Sequence, residues 1–270
     1  MLEAIGDWRP EVVIHLAARV GGITANIARS ADFLIDNLRI DANLLAALAV
    51  HRPRHFVPML STCMYPETVP SDRYPMSEAL IEAGPPPPTN AAYAAAKRAL
   101  WHGTLALNHQ YGVPFTALVP ANLYGPGDHF ADAASHFLAA AVDKIENARL
   151  HDDVEVQFFG AGKALRQYLF VNDLVHLVVY LVESEPLNET LNVAPTESHS
   201  INQLAAAVAE TVGYDGEIVF SGEGPDGQYQ KDVSTDRLRE LVPGWKAMET
   251  RQADGLRLTV DWYRAHVEPR

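Results

Sequence analysis

The sequence predicts an α/β protein with a parallel sheet in its N-terminal part and a smaller α/β domain after it. Short apolar, β-branched runs alternate with longer helix-like stretches, which is typical of βα units. At 270 residues the chain can bury a full core, and 48% of its residues are hydrophobic, as in globular proteins. The alternation loosens after about residue 125. We therefore predict one domain at residues 1–130 and a second at 131–270, some of whose segments return to the first.

Apolar runs and Ala/Leu-rich stretches define the predicted elements of the first domain. Its candidate strands are residues 12–16, 55–60 and 115–119, and its candidate helices are 25–51 and 91–111. The prolines at 85–88 predict a rigid extended loop, after which Thr89 and Asn90 can start a helix. For the second domain we predict helices over 133–148 and 171–183, a strand near 154–159 and a βα-like stretch near 216–220.

Composition excludes several classes of function. Lys and Arg number 21 against 34 Asp and Glu, a net charge of −13 that disfavours nucleic-acid binding. Because Cys63 is the single cysteine, neither an internal disulfide nor a Cys-rich zinc site can form, so we predict no metal site and a reducing, cytoplasmic location. No signal peptide and no apolar run of about 20 residues is visible, so we expect no membrane partner.

Tyr93 and Lys97 are the first candidates for chemistry. Residues four apart on a helix share a face, so the Tyr hydroxyl and the Lys ammonium can reach one ligand. A neighbouring cation stabilises a phenolate, lowers the Tyr pKa from about 10 and so makes Tyr a usable acid or base near neutral pH. Ser61, at the end of a predicted strand, would supply a second hydrogen bond to the same substrate oxygen. The order strand, Ser, helix favours a functional site over a chance Tyr-x-x-x-Lys pair.

Several sequence words together resemble a known family. They are HLAARVGGI at 15–23, STCMYP at 61–66, NLYGP at 122–126, SH at 135–136 and LTVDWY at 258–263. With Ser61, Tyr93 and Lys97, they resemble the GDP-L-fucose synthase family of the extended short-chain dehydrogenase/reductase superfamily, from about residue 11 to near the C-terminus. The resemblance implies a Rossmann-like parallel sheet that binds NADP(H), a substrate-binding second domain, a GDP-sugar substrate and a homodimer formed through the two long helices.

The resemblance also implies a reaction and residues that perform it. The family epimerises C3 and C5 of GDP-4-keto-6-deoxy-D-mannose and then reduces the C4 ketone with NADPH. Cys63 and His136 match its epimerisation pair, which needs one base and one acid with pKa values near neutrality. Tyr93 would protonate the C4 oxygen, Lys97 would orient the cofactor ribose, and Ser61 would polarise the ketone.

Ligand-binding positions follow from the same matching. The implied cofactor contacts are Met59, Leu60, Ser61, Thr62, Lys97, Pro120, Ala121, Asn122, Leu123 and His136. The implied substrate contacts are Lys144, Phe159, Arg166, Asp226 and Lys231, of which Arg166 suits a diphosphate because its guanidinium gives two parallel hydrogen bonds. Two positions differ from the family pattern, since Phe159 replaces the usual Trp and Tyr229-Gln230 replace Pro-Arg.

The chain starts near a strand, and we expect the first βαβ unit of the Rossmann-like sheet, with its glycine-rich turn, to be missing. The G-x-G-x-x-G match at 222–227 has two acids and a Pro inside the turn, so we interpret it as a loop that carries Asp226. Two alternatives to the complete enzyme stay open. One is a non-catalytic sugar-nucleotide-binding fragment or subunit, and the other is a different NAD(P)-dependent sugar-nucleotide epimerase or dehydratase.

Overall fold

A computed structural model describes residues 2–130, 135–223 and 228–268. The helices are α1 (Leu2–Trp8), α2 (Ile23–Ala28), α3 (Ser30–His51), α4 (Ala91–Tyr111), α5 (Phe137–Leu150), α6 (Val171–Glu183), α7 (Ile201–Val212), α8 (Asp236–Leu241), α9 (Trp245–Met248) and α10 (Gln252–His266). The strands are β1 (Val12–His15), β2 (His55–Pro58), β3 (Thr116–Pro120), β4 (Asn122–Tyr124), β5 (Glu155–Phe158), β6 (Leu165–Arg166), β7 (Tyr168–Phe170), β8 (Glu189–Val193), β9 (His199–Ser200) and β10 (Glu217–Phe220).

Four parallel strands form the central sheet in the order β1-β2-β3-β8. β1 pairs with β2, and β3 pairs with β8, from Thr116 opposite Glu189 to Pro120 opposite Val193. Parallel bridges between Phe56 and Phe115 and between Met59 and Leu118 join the two pairs. Since the strands are parallel, their carboxyl ends meet at one edge, where α/β proteins place their ligand sites.

The smaller strand pairs lie outside this sheet. β4 and β5 pair in parallel with β7 and β10, and β6 pairs antiparallel with β9. The α/β class and the parallel sheet are therefore confirmed. The division at residue 130 stays a prediction, although β8 and α6 from the later part contribute to the core of the central sheet.

Most of the predicted elements are confirmed. The helices predicted over 91–111 and 171–183 are α4 and α6, and the candidate strands correspond to β1, β2, β3, β5 and β10. The single helix predicted over 25–51 is wrong. Arg29 leaves helical geometry at φ −131° and ψ 36°, so the stretch forms α2 and α3. In the first turn of α3, the Asp32 carboxylate accepts a hydrogen bond of 3.2 Å from Arg29 Nε.

Two further predictions need correction. The predicted helix over 133–148 begins at Phe137 and ends at Leu150, while residues 131–134 lie outside the described part of the chain. Pro88 is not in the extended loop, because residues Pro88–Asn90 form a 3-10 turn that leads into α4. Pro at the first position of such a turn costs no hydrogen bond, since its missing N–H would have no partner there.

Three apolar clusters hold the fold together. One lies between the central sheet and the α3–α4 pair and includes Phe56 and Leu100. A second lies on the opposite face, where Leu177 of α6 packs near Leu118 and Leu191. The third joins α5, α7 and α10, outside the central sheet. The carboxyl edge of the sheet is thus supported from both faces.

Candidate active site

Ser61 and Cys63 lie just beyond the end of β2. The chain continues past Met59, and Ser61 caps the 3-10 turn Thr62–Met64. The Ser61 hydroxyl accepts a hydrogen bond of 3.1 Å from the Cys63 amide. A short side chain that caps its own turn fixes that turn locally. Both side chains are therefore held at the carboxyl edge of the sheet.

Tyr93 and Lys97 occupy one face of α4, next to this turn. The Ser61 side chain lies close enough to the Tyr93 hydroxyl to lower its pKa. Lys97 is 2% exposed, and its Nζ donates to the Met59 carbonyl at 2.8 Å and lies 5.9 Å from the centre of the Tyr93 ring. The structure thus brings Ser61, Tyr93 and Lys97 together, in the arrangement expected from their spacing.

Burial controls the electrostatics of these side chains. Burial raises the pKa of Tyr93, with Cys63 acting in the same direction, while the Ser61 side chain lowers it. Burial lowers the pKa of Lys97, and the carboxylate of Asp41 opposes this effect. The protonated form of Tyr93 is therefore favoured, so its hydroxyl holds the proton that a donor must supply. The predicted lowering of the Tyr93 pKa by Lys97 is wrong, because burial outweighs the nearby ammonium.

Cys63 is half-buried and has two hydrogen-bond donors near its sulfur. Lys231 Nζ lies 3.5 Å and Asn90 Nδ2 lies 3.7 Å from Sγ. Both side chains can donate a hydrogen bond to the sulfur, and Lys231 also brings a positive charge to it. Lys231, predicted as a substrate contact, is therefore placed beside a catalytic candidate.

Arg166 lies on β6, close to the same region. Its guanidinium donates to the carbonyls of Leu165 at 2.6 Å and Tyr229 at 3.4 Å. Burial lowers the pKa of Arg166, and the neighbouring Tyr168 raises it; Asp232 and Cys63 also raise it. Arg166 and Lys231 thus bring two positive charges to the neighbourhood of Cys63.

The remaining predicted substrate contacts are placed differently. Lys144 donates to the Gln157 carbonyl, and its Nζ lies 5.2 Å from the centre of the Phe158 ring. Phe159 is 82% exposed. Asp226 lies outside the described residues. Within the described contacts, none joins Lys144 or Phe159 to Cys63, so these three positions stay predictions.

His136 is exposed and precedes the first residue of α5. Its carbonyl accepts a hydrogen bond of 3.0 Å from the Ala140 amide, and its side chain interacts electrostatically with Asp128. Burial raises the pKa of the Asp128 carboxyl, and His136 acts in the opposite direction. Among the described contacts none joins His136 to Cys63. The predicted Cys63/His136 pair is therefore not tested by this geometry.

The other predicted cofactor positions follow the ends of the central strands. The Leu60 amide donates to the Leu118 carbonyl at 2.7 Å, and the Ala121 amide donates to the Val193 carbonyl at 2.8 Å. The members of this group are Met59, Leu60, Thr62, Pro120, Ala121, Asn122 and Leu123. The chemistry of the neighbouring side chains fits a nicotinamide riboside, since the Lys97 ammonium can donate to ribose hydroxyls and the Tyr93 and Ser61 hydroxyls can donate to a carbonyl.

Four residues near the site did not stand out in the sequence. Asp41 and His15 form a buried pair, and Asn90 bonds to Cys63. Arg98 donates to the carbonyls of the loop that follows Cys63. No local pattern indicates such contacts, because the partners are 17 to 34 residues apart along the chain.

Two further findings concern the described residues only. No helix among them combines the length and apolar character needed to cross a bilayer. Likewise, residues 2–130, 135–223 and 228–268 contain no group of three or more His, Cys, Asp or Glu side chains placed to hold a metal ion.

Comparison with known proteins gives consistent matches. Residues 1–194 match the NAD dependent epimerase/dehydratase family. The chain is 33% identical to GDP-L-fucose synthase of Dictyostelium discoideum and 36% identical to probable GDP-L-fucose synthase 1 of Oryza sativa subsp. japonica. These matches cover 96% of this chain and 80% and 77% of those proteins.

A solved structure shows the same relationship. The crystal structure of a GDP-L-fucose synthetase from Naegleria fowleri bound to NADP superimposes with a TM-score of 0.86 at 31% identity. The match covers 98% of this chain and 79% of that one. The chain belongs to the GDP-L-fucose synthase family, within the NAD dependent epimerase/dehydratase family.

Proposed function

We propose that this chain catalyses the NADPH-dependent 3,5-epimerisation and 4-reduction of GDP-4-keto-6-deoxy-D-mannose to GDP-L-fucose. One observation supports this proposal most strongly. Cys63 lies at the carboxyl edge of the sheet, next to Ser61, Tyr93 and Lys97. The first three residues suit ketone reduction, and a thiol suits proton transfer next to a ketone. Membership of the GDP-L-fucose synthase family supports the substrate.

In the reduction, the chain positions the ketone and supplies a proton. NADPH held by Lys97 and the strand-end residues would supply the hydride for this reduction. The Tyr93 hydroxyl delivers a proton to the C4 oxygen, and the Ser61 hydroxyl donates a hydrogen bond to the same oxygen. Lys97, anchored to the Met59 carbonyl, orients the ribose and stabilises negative charge on Tyr93 after proton transfer.

In the epimerisation, Cys63 and His136 act as the acid–base pair. One group removes the acidic proton next to the C4 ketone, and the other returns a proton on the opposite face. The Lys231 ammonium lies beside the Cys63 sulfur and can donate a hydrogen bond to it during the proton transfer. The same site serves C3 and C5, which flank the ketone.

The substrate diphosphate binds to Arg166 and Lys231. Their positive charges lie near Cys63, and a guanidinium matches phosphate oxygens in a two-bond geometry. Lys144, Phe159 and Asp226 complete the proposed substrate contacts. Met59, Leu60, Thr62, Pro120, Ala121, Asn122, Leu123 and His136, together with Ser61 and Lys97, are the proposed NADP(H) contacts.

A second copy of this chain is the proposed protein partner. Ile35, Leu38 and Val50 of α3 and Leu105 of α4 are exposed apolar side chains on two packed helices. Exposed apolar side chains on adjacent elements are typical of an association surface. Light scattering after size-exclusion chromatography should give the mass of a dimer, whereas a monomer mass at micromolar concentration would contradict this part of the proposal.

The proposed activity is tested with the purified chain, NADPH and GDP-4-keto-6-deoxy-D-mannose. We expect loss of the reduced nicotinamide absorbance and a chromatographic product that matches GDP-L-fucose. Binding of the GDP-sugar without NADPH oxidation would favour a non-catalytic sugar-nucleotide-binding chain. Oxidation that gives a different reduced GDP-sugar would favour another reductase of the superfamily.

A further inference from the structure

A buried pair of side chains lies behind the catalytic group. His15, the last residue of β1, is 5% exposed, and Asp41, on α3, is 2% exposed. His15 Nε2 and Asp41 Oδ1 are 2.8 Å apart. The second carboxylate oxygen, Asp41 Oδ2, is buried and has no hydrogen-bond partner among the described residues. An ionised carboxylate with an unpartnered oxygen is costly to bury unless a positive charge lies nearby.

Lys97, on the neighbouring helix α4, is a second buried charged side chain without a described counter-ion. It is as buried as Asp41, yet its described acceptor, the Met59 carbonyl, is neutral. A buried ammonium tends to lose its proton unless an anion offsets the loss of hydration. The Asp41 carboxylate therefore lacks a cation, which Lys97 can supply, and the Lys97 ammonium lacks an anion, which Asp41 can supply.

The backbone of Met59 lies between His15, the hydrogen-bond partner of Asp41, and Lys97. The Met59 amide donates to the His15 carbonyl at 3.0 Å, and the Met59 carbonyl accepts from Lys97 Nζ at 2.8 Å. Asp41 approaches from α3, which packs along α4. A chain of contacts thus runs from Asp41 through His15 and the Met59 backbone to Lys97.

We propose that Asp41 is the counter-ion that keeps Lys97 charged, and that His15 holds the Asp41 carboxylate in place. Asp41 and His15 are then positioning residues that act on the reaction through Lys97. The proposal rests on the proposed function for the role of Lys97 in catalysis, but the charge of Lys97 can be measured independently of turnover.

The electrostatics of the site support this assignment. Burial lowers the pKa of Lys97, and Asp41 is the charge that raises it again. Asp41 also raises the pKa of Tyr93. The other titratable or charged groups in this region are His15 on β1, Tyr93 and Arg98 on α4, Cys63 in the 3-10 turn, and Lys231 beside Cys63. Arg98 is occupied by the carbonyls of Met64, Ile81 and Gly84.

The direct test is the titration of Lys97 by NMR in protein labelled with carbon-13 at lysine Cε. The chain has five lysines, so the Lys97 signal can be assigned by its loss in Lys97→Arg. In Asp41→Asn, which keeps the shape of the side chain, we expect the Lys97 midpoint to move to lower pH than in the parent. Asp41→Glu should restore a midpoint near that of the parent.

A matched control separates this effect from a general loss of packing. Asp173 on α6 is also 2% exposed and accepts hydrogen bonds from Thr250. Asp173→Asn should lower stability without moving the Lys97 midpoint. An unchanged Lys97 midpoint in Asp41→Asn, in protein that is folded by circular dichroism, would overturn the proposal.

The pH dependence of turnover gives a second test of the counter-ion assignment. Loss of the Lys97 charge should shift the alkaline limb of kcat for NADPH oxidation to lower pH in Asp41→Asn, with a fall of about tenfold at its alkaline end. A parent protein that oxidises no NADPH but shows the NMR shift would overturn the proposed function and leave the counter-ion assignment intact. Normal activity of the parent with no NMR shift in Asp41→Asn would overturn the counter-ion assignment and leave the proposed function intact.

Discussion

Lys231 Nζ lies 3.5 Å from the Cys63 sulfur, although 168 residues separate the two in the chain. Cys63 follows β2 at the edge of the central sheet, while Lys231 comes from the segment between β10 and α8. The later part of the chain thus supplies a cation to a residue of the first sheet. The Lys231 ammonium therefore provides a hydrogen-bond donor and a positive charge beside the Cys63 sulfur.

This contact predicts how fast Cys63 is alkylated. In Lys231→Gln the Cys63 sulfur loses its neighbouring positive charge, so the rate of its reaction with iodoacetamide at neutral pH should fall several-fold. Since Cys63 is the single cysteine, the rate can be followed by mass spectrometry of the whole protein. Lys246→Gln, at an exposed lysine on α9, is the control and should react like the parent. Equal rates for Lys231→Gln and the parent would contradict the assignment.

Arg98 predicts a loss of stability. Its guanidinium donates to the carbonyls of Met64 at 2.9 Å, Ile81 at 2.6 Å and Gly84 at 2.8 Å, so it fastens both ends of the loop that follows Cys63. Arg98→Leu leaves these carbonyls without their donor, which should lower the free energy of unfolding by about 3 kcal/mol. Urea unfolding measures this.

The control for Arg98 is an arginine without such contacts. Arg257 is 61% exposed in its ion pair with Asp261, and such pairs contribute little to stability. Arg257→Leu should therefore unfold close to the parent midpoint. A similar loss in both variants would mean that the three carbonyl contacts of Arg98 are not the cause.

Glu146 predicts a pH-dependent contribution to stability. Burial alone would raise the pKa of this carboxyl, but hydrogen bonds of 2.8 Å from Arg149 and Arg264 outweigh burial and hold its pKa below the usual range. A depressed folded-state pKa gives stability above the unfolded-state pKa, and this stability is lost as the pH falls through the folded-state pKa. Glu146→Gln should lower the free energy of unfolding at neutral pH by about 2 kcal/mol.

The Glu146 difference should shrink as the pH falls. Urea unfolding of the parent and Glu146→Gln across acidic pH measures it, with Asp261→Asn on the exposed face of α10 as the control. A difference that stays constant down to the lowest pH would show that the hydrogen bonds do not depend on the charge of Glu146.

Much of the fold follows from local sequence patterns. Apolar β-branched runs located β1, β2 and β3 of the central sheet but not β8, and Ala/Leu-rich stretches located α4 and α6. The break between α2 and α3 at Arg29 was not predicted, because neither Gly nor Pro marks it in the sequence. The pairing of β4 with β7 and of β6 with β9 also escaped, since two- and three-residue strands carry almost no periodicity.

The candidate site was predictable to a different extent. Helical spacing was enough to place Tyr93 and Lys97 on one face, and both lie near Ser61 in the structure. The contacts of Cys63 with Lys231 and of His15 with Asp41 join distant parts of the chain. Only the folded topology brings such partners together, so composition and spacing could not indicate them.

Tyr93, with Ser61 and Lys97, performs the reduction, whereas Cys63 and His136 perform the epimerisation. Incorporation of solvent deuterium in two variants tests this division most directly. With GDP-4-keto-6-deoxy-D-mannose in deuterated water, Tyr93→Phe should exchange the protons at C3 and C5 but oxidise no NADPH. Cys63→Ser should bind the GDP-sugar yet exchange these protons much more slowly than Tyr93→Phe. Reduction by Tyr93→Phe at the parent rate, or exchange by Cys63→Ser at the parent rate, would contradict this account.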